Sequence, residues 1–169
     1  TFWKKKMEII DNKALVLRTR NPEKYSVIPK HKVIGEEDGI YQVAVYWGLD
    51  ESRVLRNLGV KDVPSPITRR YKWPGRYKPF AHQIVTASFL ALRQRAFCFN
   101  EAGTGKTSSV IWAADYLMNQ GLVKRVLVIC PLSIMYSAWQ ADIFKTAMHR
   151  TVGVAHGDTN RRKKVIEGE

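Results

Sequence analysis

Three short, almost wholly apolar runs punctuate the second half of this 169-residue chain: Ala96-Phe-Cys-Phe99, Arg125-Val-Leu-Val-Ile-Cys130 and residues 151–155. Runs without polar alternation ask for burial on both faces, which is how strands of a parallel sheet covered by helices read. The segments between them have helical character, so the expected order is helix, strand, helix, strand, helix, strand, helix. Helices are expected over about 81–94, 106–119 (ended by Gly121) and 133–145, with a last basic helix beginning near Asp158 or Thr159.

The first half reads differently. Met7-Glu-Ile-Ile and Ala14-Leu-Val-Leu flank the turn-forming Asp11-Asn12-Lys13, and Ile40-Tyr-Gln-Val-Ala-Val-Tyr-Trp47 is rich in β-branched and aromatic residues, so a small sheet is expected. Asp50 is expected to cap a short helix, with Leu49 stapled against Val54 and Gly59 as its left-handed C-terminal residue. Three prolines and a glycine crowd residues 63–75, read as a connector. The expected organisation is a small α+β module over 1–62, the connector, and an α/β domain over 76–169.

Composition narrows the functional classes. Hydrophobic residues make up 45% and charged residues 25%, which excludes collagen-like and wholly disordered readings. No apolar run approaches membrane-spanning length and no signal-peptide pattern follows the first residues. Cys98 and Cys130 sit in apolar runs without metal-ligand spacing, so buried thiols in an intracellular, reducing setting are expected. The net charge of +13 is shared: residues 1–75 hold 15 basic and 9 acidic groups, residues 76–169 hold 13 and 6. Such a balance suggests a polyanionic partner, nucleic acid first.

Between the first apolar run and the helix after it stands Asn100-Glu-Ala-Gly-Thr-Gly-Lys-Thr107, with the Gly-Lys-Thr ending of a phosphate-binding loop. Gly103 and Gly105 allow backbone conformations in which successive N–H groups, with that of Thr104, surround a phosphate at a helix N-terminus. Lys106 is expected to pair with β- and γ-phosphates and the Thr107 hydroxyl to ligate Mg²⁺, the two residues assigned catalytic weight. The first glycine of the general G-x-x-x-x-G-K-[ST] pattern is replaced by Asn100.

A loop of the form x-E-x-G-x-G-K-T resembles motif I of superfamily two helicases, in particular the Swi/Snf-like DNA translocases. Lys78-Pro-Phe-Ala-His-Gln83 resembles the segment that precedes the loop in that family, and the resemblance implies that the Gln83 amide reads the adenine edge. Tyr77 and Phe80 can stack on the base or act as core or staple residues beside the helix start. Val128-Ile-Cys-Pro-Leu-Ser-Ile-Met-Tyr-Ser-Ala-Trp139 resembles motif Ia, which implies that Ser133 lies on the phosphates of the tracked strand, with Trp139 in the core. Ala155-His-Gly157 is similar to the strand end that follows; His156 reads as structural or DNA-proximal. Arg161-Arg-Lys-Lys164, that is Arg161, Arg162, Lys163 and Lys164, is either a solvated helix face or a phosphate contact. Lys4-Lys-Lys6 and Arg69-Arg70 carry the same two readings.

The resemblance covers about residues 72–169 and implies the first part of a RecA-like phosphate-loop lobe with a parallel sheet. In layout the chain is similar to phage and bacterial helicases that place a small substrate-binding module before that lobe. The family's Asp-Glu-x-x segment does not occur after Thr107, and Asp115 and Asp142, on predicted helices, do not replace it. The expectation is therefore an N-terminal piece of an ATP-dependent DNA helicase or translocase: monomeric, without membrane contact, binding ATP, Mg²⁺ and the DNA backbone, and needing a second RecA-like lobe for turnover. Alternatives are another phosphate-loop ATPase such as a restriction or packaging translocase, a short non-hydrolysing DNA-binding or regulatory protein, and a basic protein whose loop holds only inorganic phosphate or sulfate.

Overall fold

The computed structural model describes residues 7–168, so the Lys4-Lys-Lys6 cluster lies outside the described residues. The described residues form two compact units, one comprising 7–71 with Leu92–Gln94, the other Lys72–Ala91 with 95–168.

In the first unit, strands β1 (Met7–Ile10), β2 (Ala14–Thr19), β3 (His31–Glu37) and β4 (Ile40–Tyr46) form an antiparallel sheet in the order β1-β2-β4-β3. A three-residue loop, 11–13, joins β1 to β2, and a two-residue loop, 38–39, joins β3 to β4. Asp11 and Asn12 (φ 50° and 53°) and Asp38 and Gly39 (φ 53° and 71°) take the left-handed conformation whose twist matches that of the flanking strands. Opposed residues in an antiparallel pair share a face. The inner face carries Met7 opposite Leu17, Ile9 opposite Leu15, and Leu15 and Leu17 opposite Val45 and Val43. These pack with Tyr25, Ile28, Trp47, Leu55 and Val63 into the core.

Helix α1 (Leu49–Asn57) is capped at Gly48 rather than Asp50, which instead pairs with Arg53 at 3.6 Å from the first turn. The end of α1 matches expectation: Gly59 is left-handed, its N–H reaches the Arg56 carbonyl and the Val60 N–H the Leu55 carbonyl, the paired bonds that close a helix with glycine. The proline-rich stretch is packed rather than loose. Val63, Ser65, Pro66 and Ile67 are buried, a four-residue helix α2 (Ile67–Arg70) forms, and the Pro64 carbonyl accepts from Trp47 Nε1 at 2.9 Å.

The second unit is built on α3 (Ala81–Ala91) and α4 (Lys106–Asn119), with α5 (Ala141–Thr146) and α6 (Thr159–Glu167). Trp112 of α4 donates to the Pro74 carbonyl and meets Trp73 edge-on at 5.6 Å. Gly75 lies so close to the Lys145 and Thr146 carbonyls that a Cβ would stand 2.6 Å from each. Asp115, 2% exposed, binds Arg150 Nε at 2.6 Å and His149 Nε2 at 2.8 Å, tying α4 to the segment after α5.

Three expectations are corrected here. The helix predicted over 133–145 is broken into a 3-10 turn (Leu132–Ile134), a π-helical turn (Met135–Gln140) and α5. The three apolar runs form no hydrogen-bonded strand ladder among the described residues, and the ladders that do form belong to the antiparallel sheet. Their side chains still alternate. Ala96, Cys98 and Val126 line an open apolar trough of about 470 Å³ with Leu90 of α3 and Val110 and Leu117 of α4, whereas Phe97, Phe99, Leu127 and Ile129 are 80–90% exposed. One face is thus served by helices and the other is bare, so the two-sided burial that stabilises a parallel sheet is half made. Cys98 and Cys130 are free thiols, half-buried rather than buried. The chain is mixed α/β with a four-stranded antiparallel sheet, and no helix among the described residues is long and apolar enough to cross a membrane.

Candidate phosphate-loop site

Gly103 and Gly105 both have positive φ, 77° and 71°, and Gly105 serves as the N-cap of α4. The loop is closed by its own bonds. Thr104 Oγ1 donates to the Glu101 carbonyl at 2.8 Å, and Lys106 Nζ donates to the carbonyls of Asn100 and Glu101 at 2.8 and 2.7 Å. An ammonium group has three N–H donors, so one remains for a ligand within the loop. Thr107 is half-buried in the first turn of α4. Magnesium at phosphate sites takes few protein ligands and completes its shell with phosphate oxygens and water. Among the described residues there is no group of three or more His, Cys, Asp or Glu that could hold a metal ion.

Helix α3 approaches the loop from its N-terminal end. Gln83, 7% exposed, accepts the Phe80 N–H on Oε1 at 2.9 Å and points Nε2 at the Gly105 carbonyl at 3.5 Å. The amide keeps one N–H and one acceptor lone pair beyond these two bonds, the donor and acceptor pair that an adenine edge requires. Phe80 and Tyr77, 70% and 59% exposed, are not core residues. Phe80 stacks on His82 (5.8 Å, 10° between planes), and Arg76 lies over the Tyr77 ring.

Two contributors escaped the sequence reading. His82 Nε2 lies 3.0 Å from the Thr104 carbonyl, so a proton on that nitrogen ties α3 to the loop crest. Asn100 Nδ2 donates to Thr86 Oγ1 of α3 at 2.9 Å, an anchor that the glycine of the general pattern could not provide. The signal for both was present, His82 beside Gln83 and Asn100 as the departure from the pattern, but their partners lie in another element.

The residues proposed for nucleic acid are placed less tightly. Ser133 is exposed in the 3-10 turn, and its carbonyl accepts the Ser137 hydroxyl. Arg161, Arg162, Lys163 and Lys164 are all exposed on α6. Asp158 caps that helix by accepting the Arg161 N–H at 2.9 Å, and this backbone hydrogen bond holds its carboxyl below the ordinary carboxylate range. His156 meets the Tyr136 ring edge-on, a packing contact. Compared with known protein families, curated proteins and solved structures, the chain matches none.

Proposed function

We propose that residues 100–107, with Gln83, form an ATP site, and that the unit holding them is the first part of a RecA-like lobe of an ATP-dependent DNA helicase or translocase. The observation that carries the nucleotide reading is the meeting of two motifs. Gln83 and the Gly-Thr-Gly-Lys-Thr loop are separated along the chain, yet the amide abuts the Gly105 carbonyl and His82 the Thr104 carbonyl. Beyond its two structural bonds the amide keeps a donor and an acceptor at the rim of the loop, which inorganic phosphate alone would not use.

In this reading the loop N–H groups and the N-terminus of α4 receive the β-phosphate. Lys106 exchanges its carbonyl partners for β- and γ-phosphate oxygens, the Thr107 hydroxyl faces Mg²⁺, and Gln83 reads adenine while Tyr77 and Phe80 flank the base. The trough and the bare row of Phe97, Phe99, Leu127 and Ile129 support the lobe reading, since a doubly covered parallel sheet needs apolar strands of this kind. DNA would be held by its backbone, through Ser133 and the basic face of α6, without sequence preference. The water-activating carboxylate and a second lobe would come from outside these residues, so this chain binds ATP without turning it over.

Calorimetric titration with Mg-ATP, Mg-GTP and inorganic phosphate, beside a phosphate-release assay with and without DNA, tests the proposal. Binding that favours ATP without turnover is expected, and Gln83→Ala should narrow the gap between ATP and GTP. Equal affinity for all three ligands, or none, would overturn the nucleotide assignment; DNA-stimulated turnover would overturn the inactive-alone part.

A further inference from the structure

The sheet of the first unit has an uncovered outer face whose composition is unlike its core face. Strand register places Arg18 beside Gln42, Lys32 beside Ala44, Val16 and Glu8 in one row, and Tyr46 beside Ala14 and Ile10 in the next. Arg18, Lys32 and Tyr46 are exposed. Lys30, immediately before β3, is brought to the same edge because its carbonyl accepts the Tyr46 N–H at 2.9 Å.

Two cations converge on the Tyr46 ring, and a third, Arg69, shares Asn12 with one of them. Lys30 Nζ stands 4.9 Å from the centre of the ring and the Arg70 guanidinium 5.0 Å from it. Arg70 is further fixed by donating Nη1 to the Tyr46 hydroxyl at 3.1 Å and Nε to the Asn12 carbonyl at 2.8 Å. Arg69 Nη1 donates to Asn12 Oδ1 at 3.2 Å. The β1–β2 hairpin and α2 therefore hold the two guanidinium groups in set positions, and Arg70 retains its second Nη for a ligand.

Among the described residues no carboxylate stands within ion-pair distance of this group. Asp50–Arg53, Asp142–Lys145 and the pairs of Asp115 are ion pairs among the described residues, and none of them includes Arg18, Lys30, Lys32, Arg69 or Arg70. Glu8 lies on the far strand of the sheet, and Glu51 reaches toward Gly48 beside the Tyr46 ring without entering ion-pair distance of the cations. The ring face offsets part of the repulsion between the cations, but cation–π attraction at an exposed site is worth only about 0.5–1 kcal/mol.

From these observations we infer that Lys30 and Arg70, set around Tyr46, with Arg69 held beside Arg70 on Asn12 and the row continued by Lys32 and Arg18, form a binding surface for the phosphodiester backbone of DNA. The cations are spread over an open sheet face, with Lys30 and Lys32 about 6–7 Å apart along the strand. An extended ligand with repeated negative charges fits such a face better than a single small anion. Guanidinium forks suit phosphate oxygens, and polar backbone contacts of this kind fix position without reading bases. Tyr46 is the scaffold for the cations and not a stacking platform. None of these residues belongs to the phosphate loop, so the surface does not depend on the ATP reading.

The test is fluorescence anisotropy of the whole chain with a short labelled DNA duplex of mixed sequence, without nucleotide, over a range of salt. The variant Lys30→Gln/Arg69→Gln/Arg70→Gln is compared with Arg20→Gln/Lys24→Gln/Lys61→Gln, which removes the same charge from exposed positions of the same unit. The first should lose more than tenfold in affinity, with the slope of log affinity against log salt reduced by about 2 to 3, and the second much less. Should the triple variant fail to fold, Lys30→Gln/Arg69→Gln, which keeps Arg70 on Tyr46, should lower the slope by about 2. Equal losses in the patch and control variants would mean that net charge alone acts, and would overturn the site, as would an unchanged slope. Binding to vesicles containing phosphatidylserine that depends on the patch, with DNA binding that does not, would assign the surface to a membrane instead.

Discussion

The side-chain amide nitrogen of Gln83 stands 3.5 Å from the Gly105 carbonyl oxygen, and a Cβ added to Gly105 would lie 2.1 Å from that same nitrogen. Gly105 is therefore constrained twice, by its left-handed backbone (φ 71°) and by the amide pressed against it. Gly105→Ala should cost about 1–2 kcal/mol for the left-handed conformation. It should also push Gln83 aside, since the amide is the flexible partner. Chemical denaturation reads the first effect, and loss of ATP-over-GTP preference in calorimetry reads the second. A variant with wild-type stability and preference would show that the contact does not shape the site.

Lys106 spans two roles, holding the loop through the Asn100 and Glu101 carbonyls and offering charge to phosphate. Lys106→Ala should reduce Mg-ATP affinity about tenfold to a hundredfold, the range of a charge-assisted hydrogen bond. Its effect on global stability should stay below about 1 kcal/mol, because the loop is at the surface and the carbonyls can turn to water. Unchanged nucleotide affinity would remove the loop from the proposed site.

Much of this arrangement was legible in the sequence where a local rule decides the outcome. Gly105 and Gly121 bracket α4, Asp158 caps α6, Gly59 ends α1, and Asp11 with Asn12 turns β1 into β2. Strand β3 is weakly marked in the sequence because His31-Lys-Val-Ile-Gly-Glu-Glu37 has little strand propensity; pairing with β4 holds it, and the Asp38-Gly39 hairpin pair is its one local signal. The α1 cap was misplaced because Asp50 looked like an N-cap while the chain turns at Gly48. The apolar runs misled in another way. Composition showed that Phe97, Phe99, Leu127 and Ile129 ask for burial, but pairing is non-local, and a ladder cannot be read from a single run. For the same reason the tether of Asn100 to Thr86 was invisible, although its cause, an asparagine in place of glycine, was in view.

The Asp115 cluster gives a prediction on stability. Asp115 is 2% exposed, whereas the Arg150 side chain is 27% exposed, so the two halves of the pair are not equivalent. Arg150→Ala removes the guanidinium from a buried carboxylate, whose remaining partners include the half-exposed His149 and the Asn119 amide, and should cost about 3–5 kcal/mol. Asp115→Ala leaves an arginine that can swing toward water and onto Asn119, its other partner, and should cost less. Urea denaturation of both variants would check the order; a reversed order would mean that packing around Asp115, not charge pairing, sets its worth.

Helix α6 should respond to acid. The Arg161 backbone N–H holds the Asp158 carboxyl below its ordinary value of 3.8, so the charged form is favoured in the folded helix. A carboxyl lowered on folding contributes stability above its unfolded value and loses it as pH falls through the folded one. Protection of the Arg161 amide, followed by NMR hydrogen exchange, should therefore persist at neutral pH and fade only when the solution is taken below 3.8. Asp158→Asn, still a capping residue, should keep the protection and remove its pH dependence, while Asp158→Ala should fray the first turn at every pH. Because Arg161 and Arg162 lie in that turn, the Ala variant should also weaken any DNA contact made by the basic face of α6. If the Arg161 amide in the Ala variant exchanged as slowly as in the wild type, the cap would have no part in holding the helix.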